Sequence, residues 1–354
     1  MDSFDKEIDD LEKQIQQNSD PQKIEAVNVE KPEEASSSIE TPIVNGNFKP
    51  FSEDFKKEFT SDEKITQEDL PSCVERKTLG ELGNRVPIGF FSPTDINKRL
   101  REFAFTKWTF KEERRIAAIK QQMTKQRRGP LFITKMLIEM SEHIFNVPVK
   151  QIQIEQQQLG FVGQFFWCDV LYMYFFFRNF AIGKEVNMEI ECPVCSKRFT
   201  YAANIESLTV RTLKEGASIN DLSQKVELDQ GFFYKDKHYK NLYIAPTRWF
   251  SMMNSKDGTL QDESVMKEMF IKSSVTGINE PYEQGFFWDN TILEQLYKYD
   301  FEKLYQEIIK NNLGPELFIS VRCPEPSCNE VLYRVLDWSY DSFFTILSRS
   351  RIST

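Results

Sequence analysis

Four of the six cysteines stand in two pairs, Cys192-Pro193-Val194-Cys195 and Cys323-Pro324-Glu325-Pro326-Ser327-Cys328. Zinc favours four soft or borderline ligands in a tetrahedron, and two cysteine knuckles brought face to face supply a closed set of four thiolates. A closed set leaves no position for a reacting water, so the expected role is structural. Prolines inside both turns restrict the backbone there. The second knuckle has four residues between its cysteines where the first has two, a spacing that structural sites still use. The other readings of the same four residues are reduced core thiols or two disulfides. Cys73 and Cys168 lack a partner at ligand spacing, and His143 and His238 are isolated.

The elements that must position these cysteines are strands. Val186 to Glu191 precedes the first knuckle and Arg198 to Ala202 follows it, while Leu317 to Arg322 and Glu330 to Leu336 flank the second. The unit is thus strand, knuckle, strand, used twice. Upstream, Glu75 to Asn97 is punctuated by glycine and proline and reads as an irregular lead-in. Phe103 and Phe105 alternate in a strand-like Arg101 to Trp108, and Thr109-x-x-Glu112 is a capping box that opens a helix running to Gly129-Pro130. A second apolar helix is expected from Leu131 to Phe145. Phe161 to Ile182 is apolar nearly all round, interrupted by Gln164, Asp169 and Arg178, and reads as a buried core helix too short in its uncharged run to span a membrane. Between the knuckles, Ser207 to Arg211, Gln224 to Leu228 and His238 to Ile244 read as strands, and Gly258 to Ser273 and Thr291 to Asn311 as helices. A metal joining the two knuckles would close this long insertion at its ends.

Composition narrows the function. The 354-residue chain carries net charge -9 with a pI near 5.1, which disfavours nonspecific adhesion to nucleic acid or anionic membrane and favours protein partners. Its 30 phenylalanines fit either extra contacts with neighbouring subunits or an AT-rich coding sequence. The basic run Lys125 to Arg128 reads as a solvated helix end rather than a phosphate patch. No Gly-rich phosphate loop, no Ser-His-Asp or Cys-His arrangement and no hydrolase metal set is present, so an enzyme is not expected. Met1 to Gln17 is charged and lacks an apolar core, so the cysteines are expected to meet a reducing compartment.

Residues 1–70 form an acidic arm. Gln17 to Asn47 is rich in Glu, Pro, Ser and Asn, and is expected to be disordered on its own. Two apolar stripes at helical spacing interrupt it: Phe4, Ile8, Leu11 and Ile15, then Phe48, Phe51, Phe55 and Phe59. Each is expected to fold on a partner or on the body of the protein.

Taken in order, several of these segments carry a resemblance. Lys107-Trp108-Thr109 with Glu112-Glu113, the apolar helix ending in Arg178 to Gly183, the strand into Glu191-Cys192-Pro193-Val194-Cys195, Phe199, Leu313-Gly314-Pro315, and the closing Ser342-Phe343-Phe344 together resemble the T4-type phage baseplate hub family over roughly residues 85 to 345. The resemblance implies a baseplate hub component or hub-assembly factor, found in the phage virion or in the host cytoplasm during assembly, with other baseplate or hub proteins as partners. The expected fold is α+β, a mainly helical body bracketed by two strand-knuckle-strand halves of a zinc ribbon. Its parts are the arm (1–70), a helical first part of the body (71–185), the ribbon halves with their insertion (186–345) and a tail (346–354). A zinc-ribbon nucleic-acid-binding or transcription factor is the alternative. Arg198, Arg322 and Arg334 lie near the knuckles, but Glu191, Glu325, Glu330 and Asp337 offset them.

Overall fold

A helix that is apolar on every side must be wrapped on every side, and here one such helix organises the chain. The computed structural model describes residues 70–91, 99–126, 129–253, 263–281, 283 and 290–336, all within the unit Phe48–Thr354. The two apolar stripes of the arm, the tail and Ser342-Phe343-Phe344 lie outside the described residues, as do the side chains of the basic run 125–128.

In chain order the elements are β1 (Val74–Thr78), α1 (Leu79–Leu82), β2 (Arg85–Phe91), β3 (Arg99–Phe105), α2 (Phe110–Gln126), α3 (Gly129–Met140), β4 (Ser141–Ile144), α4 (Glu155–Gly163), α5 (Trp167–Ile182), β5 (Glu185–Glu191) and β6 (Arg198–Asn204). There follow β7 (Thr209–Leu213), β8 (Gln224–Tyr234), β9 (Lys237–Ile244), α6 (Trp249–Met253), α7 (Glu263–Ser274), β10 (Val275–Gly277), α8 (Asn290–Leu293), α9 (Lys298–Asn311), β11 (Gly314–Pro315), β12 (Phe318–Arg322) and β13 (Val331–Val335). The strands form three small sheets, ordered β1-β7-β11, β2-β3-β4 and β10-β9-β8, and two separate hairpins, β5-β6 and β12-β13. Every pairing is antiparallel.

Helix α5 is the buried one. Val170, Tyr172, Met173, Tyr174, Phe175 and Phe177 are all at most 1% exposed, so the middle of the helix is out of water on all sides, while Phe180 near its end is exposed. Phe103 meets Phe176 edge to face at 5.1 Å, Trp108 meets Phe177 at 5.4 Å, and the Tyr172 hydroxyl reaches the carbonyls of Leu79 and Gly83 at 3.1 and 2.7 Å. Among the described residues no helix is long and apolar enough to cross a membrane.

Two buried carboxylates pin irregular strands to helices. Asp169, the third residue of α5, accepts from the amides of Ile88 at 2.8 Å and Gly89 at 2.9 Å, where β2 shifts register against β3. Gly89 has φ 94, and a Cβ there would run into the Leu100 carbonyl, so only glycine fits. Burial raises the Asp169 carboxyl to about 6, opposed by those two amides and by Arg101. Asp300, the third residue of α9, repeats the device on β8, accepting from Asp229, Gln230 and Gly231 at 2.7, 2.9 and 3.0 Å. Gly231 has φ 79 and a Cβ there would strike the Tyr239 carbonyl. A carboxylate in the first turn of a helix also meets the positive end of the helix dipole.

Several expected boundaries differ. The body is a mixture of helix and strand: the lead-in contains β1, α1 and β2, and the described residues between the knuckle hairpins include five strands as well as α6 to α9. The helix from Leu131 stops at Met140, where the Ser141 hydroxyl donates to the Leu137 carbonyl at 2.6 Å and the chain enters β4 to pair with β3. β4 is only four residues long, with Glu142 exposed and His143 half-buried, too short a run to announce a strand period. The apolar run from Phe161 divides into α4 and α5 at Gln164 to Phe166, where the Phe165 carbonyl accepts from the Trp249 amide at 2.8 Å. Thr291 to Asn311 likewise divides into α8 and α9 at an extended Tyr297.

The Asp300 carboxyl titrates below the ordinary aspartate range: burial acts to raise it, and the three amides outweigh burial. Its contribution to stability is therefore present above the unfolded aspartate value of about 3.9 and is lost as pH falls through the lower folded value. Asp300→Ala is expected to reduce the urea-derived stability at neutral pH by about 3 kcal/mol, since three amides lose a charged acceptor. It should also flatten the acid side of the stability profile. An acid side as steep as in the wild type would mean that another carboxylate governs it.

Candidate metal centre

The two hairpins face each other through an alternating pattern. In β5 and β6 the residues Val186, Ile190 and Ala203 are buried, while Glu185, Asn187, Glu189 and Glu191 are exposed. Val321 of β12 and Leu332 of β13 are buried in the same way. Ile190, Val321 and Leu332 join Cys192 and Cys323 in a small apolar cluster of their own, with Met188, Phe199, Tyr201, Ile319 and Cys328 packed at its margin. Period-two alternation in the sequence thus becomes one inward face per hairpin.

The knuckles themselves share a backbone design. The Cys192 amide donates to the Lys197 carbonyl at 2.9 Å, and the Cys323 amide to the Glu330 carbonyl at 2.8 Å. In each case a first cysteine is bonded to the second residue after the second cysteine. The residue between is left-handed in both, Ser196 with φ 57 and Asn329 with φ 49. Neither position is a glycine, and asparagine tolerates that conformation better than most residues. The two extra residues of the second knuckle are absorbed inside the turn, where the Glu325 carbonyl accepts from Cys328 at 3.0 Å and Asn329 at 2.9 Å.

This framework brings the four sulfurs together. Cys192 Sγ is 3.7 Å from Cys328 Sγ, Cys195 Sγ is 3.6 Å from Cys323 Sγ, and all four lie within 4.8 Å of one another. Four sulfurs about 2.3 Å from a common centre at tetrahedral corners stand about 3.8 Å apart, so the observed edges have the size a bound ion requires. They are far too long for a disulfide, and all four are free thiols. Cys192 and Cys323 are buried, Cys328 is half-buried and Cys195 is exposed. Among the described residues this is the one cluster of three or more metal-ligating side chains.

Crowded thiols without a cation cannot all ionise. The Cys195 amide, opposed by burial and aided by the Val194 amide, holds the Cys192 thiol down at about 7. For Cys328 the Glu330 amide acts to lower it, but burial and the three neighbouring sulfurs prevail and push it up to about 12. A divalent ion would supply the positive charge that four thiolates need. The residues present therefore fit a four-coordinate thiolate site.

The remaining sequence candidates stand apart. Cys168 lies buried in α5, packed against Gly314, and Cys73 donates to the Asp221 carbonyl at 3.3 Å. His238 binds the Gln230 carbonyl at 2.8 Å, and His143 sits in β4 opposite Ala104. Of the arginines near the knuckles, Arg198 pairs with the Glu191 carboxylate at 2.7 Å. Arg334 reaches from the second hairpin to the Glu191 carbonyl of the first at 3.1 Å, and Lys197 meets Glu325 across the same junction at 3.3 Å. These two cross-hairpin contacts had no local signal in the sequence, because each joins residues more than a hundred positions apart. No protein-family model, no curated protein and no solved structure matches the chain.

One equivalent of cobalt(II), added to chelator-stripped protein, is expected to give the intense charge-transfer and visible bands of a tetrahedral thiolate site. Cys323→Ser should shift and weaken those bands, whereas Cys73→Ser should leave them unchanged. Equal spectra from both variants would exclude the four-cysteine site.

Proposed function

We propose that this chain is a structural or assembly protein of a contractile-tailed phage baseplate hub, and that its four knuckle cysteines hold a structural zinc ion. The observation that carries the reading is the pairing of two knuckle hairpins, 128 and 136 residues apart in sequence, around a closed set of four thiols. A set with no open ligand position suits a staple rather than a reaction centre. The order of elements through which the sequence resembles the hub family supplies the phage context. Other baseplate or hub subunits are the expected partners, and the site of action is the virion or the host cytoplasm during assembly.

The zinc-ribbon nucleic-acid-binding reading is weaker here. Near the knuckles Arg198 and Lys197 are engaged by Glu191 and Glu325, which leaves little clustered positive charge for phosphates. Against an enzyme stands the use of the buried carboxylates Asp169 and Asp300, both occupied by backbone amides.

Mass spectrometry of purified virions and of infected-cell lysate, together with zinc quantification on the recombinant chain, tests the proposal. Stoichiometric presence in particles with one zinc per chain marks a permanent component, and presence in lysate alone marks an assembly factor. Absence from both would overturn the phage reading, and a zinc-free chain would overturn the metal assignment independently.

A further inference from the structure

Helix α2 is held to the body by a narrow stripe. Ile116 and Met123 are buried and Ile119 is half-buried, while Lys111, Arg114, Arg115, Ala117 and Ala118 are exposed. Phe110 is 73% exposed at its first position. Seventeen residues make a helix about 25 Å long, so most of that length faces outward. The charge is equally unusual for this chain. From Lys107 to Arg128 the sequence holds eight Lys or Arg against two Glu, in a protein of net charge -9.

The exposed face mixes apolar and polar side chains along one line. Phe110, Arg114, Ala117 and Gln121 follow one another at helical spacing along it. The Arg114 guanidinium lies 5.9 Å from the centre of the Phe110 ring, and Arg115 is anchored to Glu139 of α3 at 2.7 Å. A large aromatic followed by small alanines leaves room for another backbone to approach closely, with Arg114 on the contact line and Lys111 along one edge of it. Glu112 and Glu113 interrupt the basic run, which suits a discrete pattern of carboxylates better than a continuous phosphate backbone.

We propose that the solvent face of α2 docks an acidic amphipathic helix of a partner protein. The partner's apolar stripe covers Phe110 and Ala117, and its flanking carboxylates meet Lys111 and Arg114. This surface is separate from the cysteine site and does not depend on the metal or on the phage assignment.

The test is fluorescence anisotropy on the full chain. The probes are a labelled leucine-glutamate amphipathic peptide of about 18 residues, a length that can hold a helix on a partner surface, its leucine-lysine counterpart, and a labelled DNA duplex. The leucine-glutamate peptide is expected to bind, more weakly as salt rises, and the lysine peptide to show no comparable binding. The double variant Lys111→Glu, Arg114→Glu should weaken binding at least about tenfold, as reversal of rim charges predicts. Phe110→Ala should weaken it about fivefold with the salt dependence kept. All three positions are exposed, so the variants should melt at the wild-type temperature, which a thermal scan checks. The proposal is overturned if the leucine-glutamate peptide fails to bind, if it binds the charge-reversed chain equally well, or if the duplex binds more tightly than the peptide.

Discussion

The burial of α5 is the constraint from which the other elements follow. A helix with tyrosine and phenylalanine on every side stays in water only at great cost, so sheets and helices must close around it. Its two charged residues sit toward its two ends and are satisfied there by backbone. Asp169 takes two amides of β2 at the first turn. Near the last turn Arg178 donates to the carbonyls of Gly183 and Glu185, and thereby fixes the direction in which the chain leaves the helix. That departure is β5, the first strand of the first knuckle hairpin. This guanidinium, together with Val186 and Ala203 in the shared core, links the buried helix to the first hairpin.

The second hairpin is placed by a different route to the same region. Gly314 packs against Cys168 of α5, and β11 pairs with β7, with Gly314 opposite Arg211. The Glu316 amide then donates to the Thr209 carbonyl at 2.8 Å, immediately before β12 begins. Since β7 follows directly on the end of the first hairpin, both hairpins rise from neighbouring points of one small sheet. Convergence of two knuckles so far apart in sequence is thus set at their bases, by β7 and β11, as well as at their tips.

What could be read in advance followed from local pattern, and what could not depended on distant partners. The cysteine pairs, their flanking strands, the opening of α2 and the buried α5 were legible, because each is announced within a dozen residues by spacing, capping or hydrophobic periodicity. The strands β1 and β2 were missed because glycine and proline between them read as loop, whereas Gly89 serves a bulge that Asp169 holds from 80 positions away. The switch from α3 to β4 was missed for a related reason: four residues are too few to show a strand period, and their partner β3 lies two helices back in the chain. The paired use of Asp169 and Asp300 was equally hidden, since neither residue stands in a local motif and each finds its amides on another element.

A pair of two-stranded hairpins is a poor independent fold. An isolated hairpin is marginal in water, and the cluster between these two contains only Ile190, Val321 and Leu332 as fully buried aliphatic side chains. The cross-hairpin polar contacts, Lys197 to Glu325 and Arg334 to Glu191, are exposed and contribute little net free energy. The body is in another position, since α5 and the three sheets share a large continuous core that does not include the sulfurs. The interactions seen between the hairpins therefore give little cohesion of their own around the four thiols. Under the proposed reading, the metal supplies that cohesion, and its loss frees the hairpins from each other while the core around α5 remains folded. The cysteine site then acts on the shape of one surface of the protein, which is where a structural ion would matter to a neighbouring subunit.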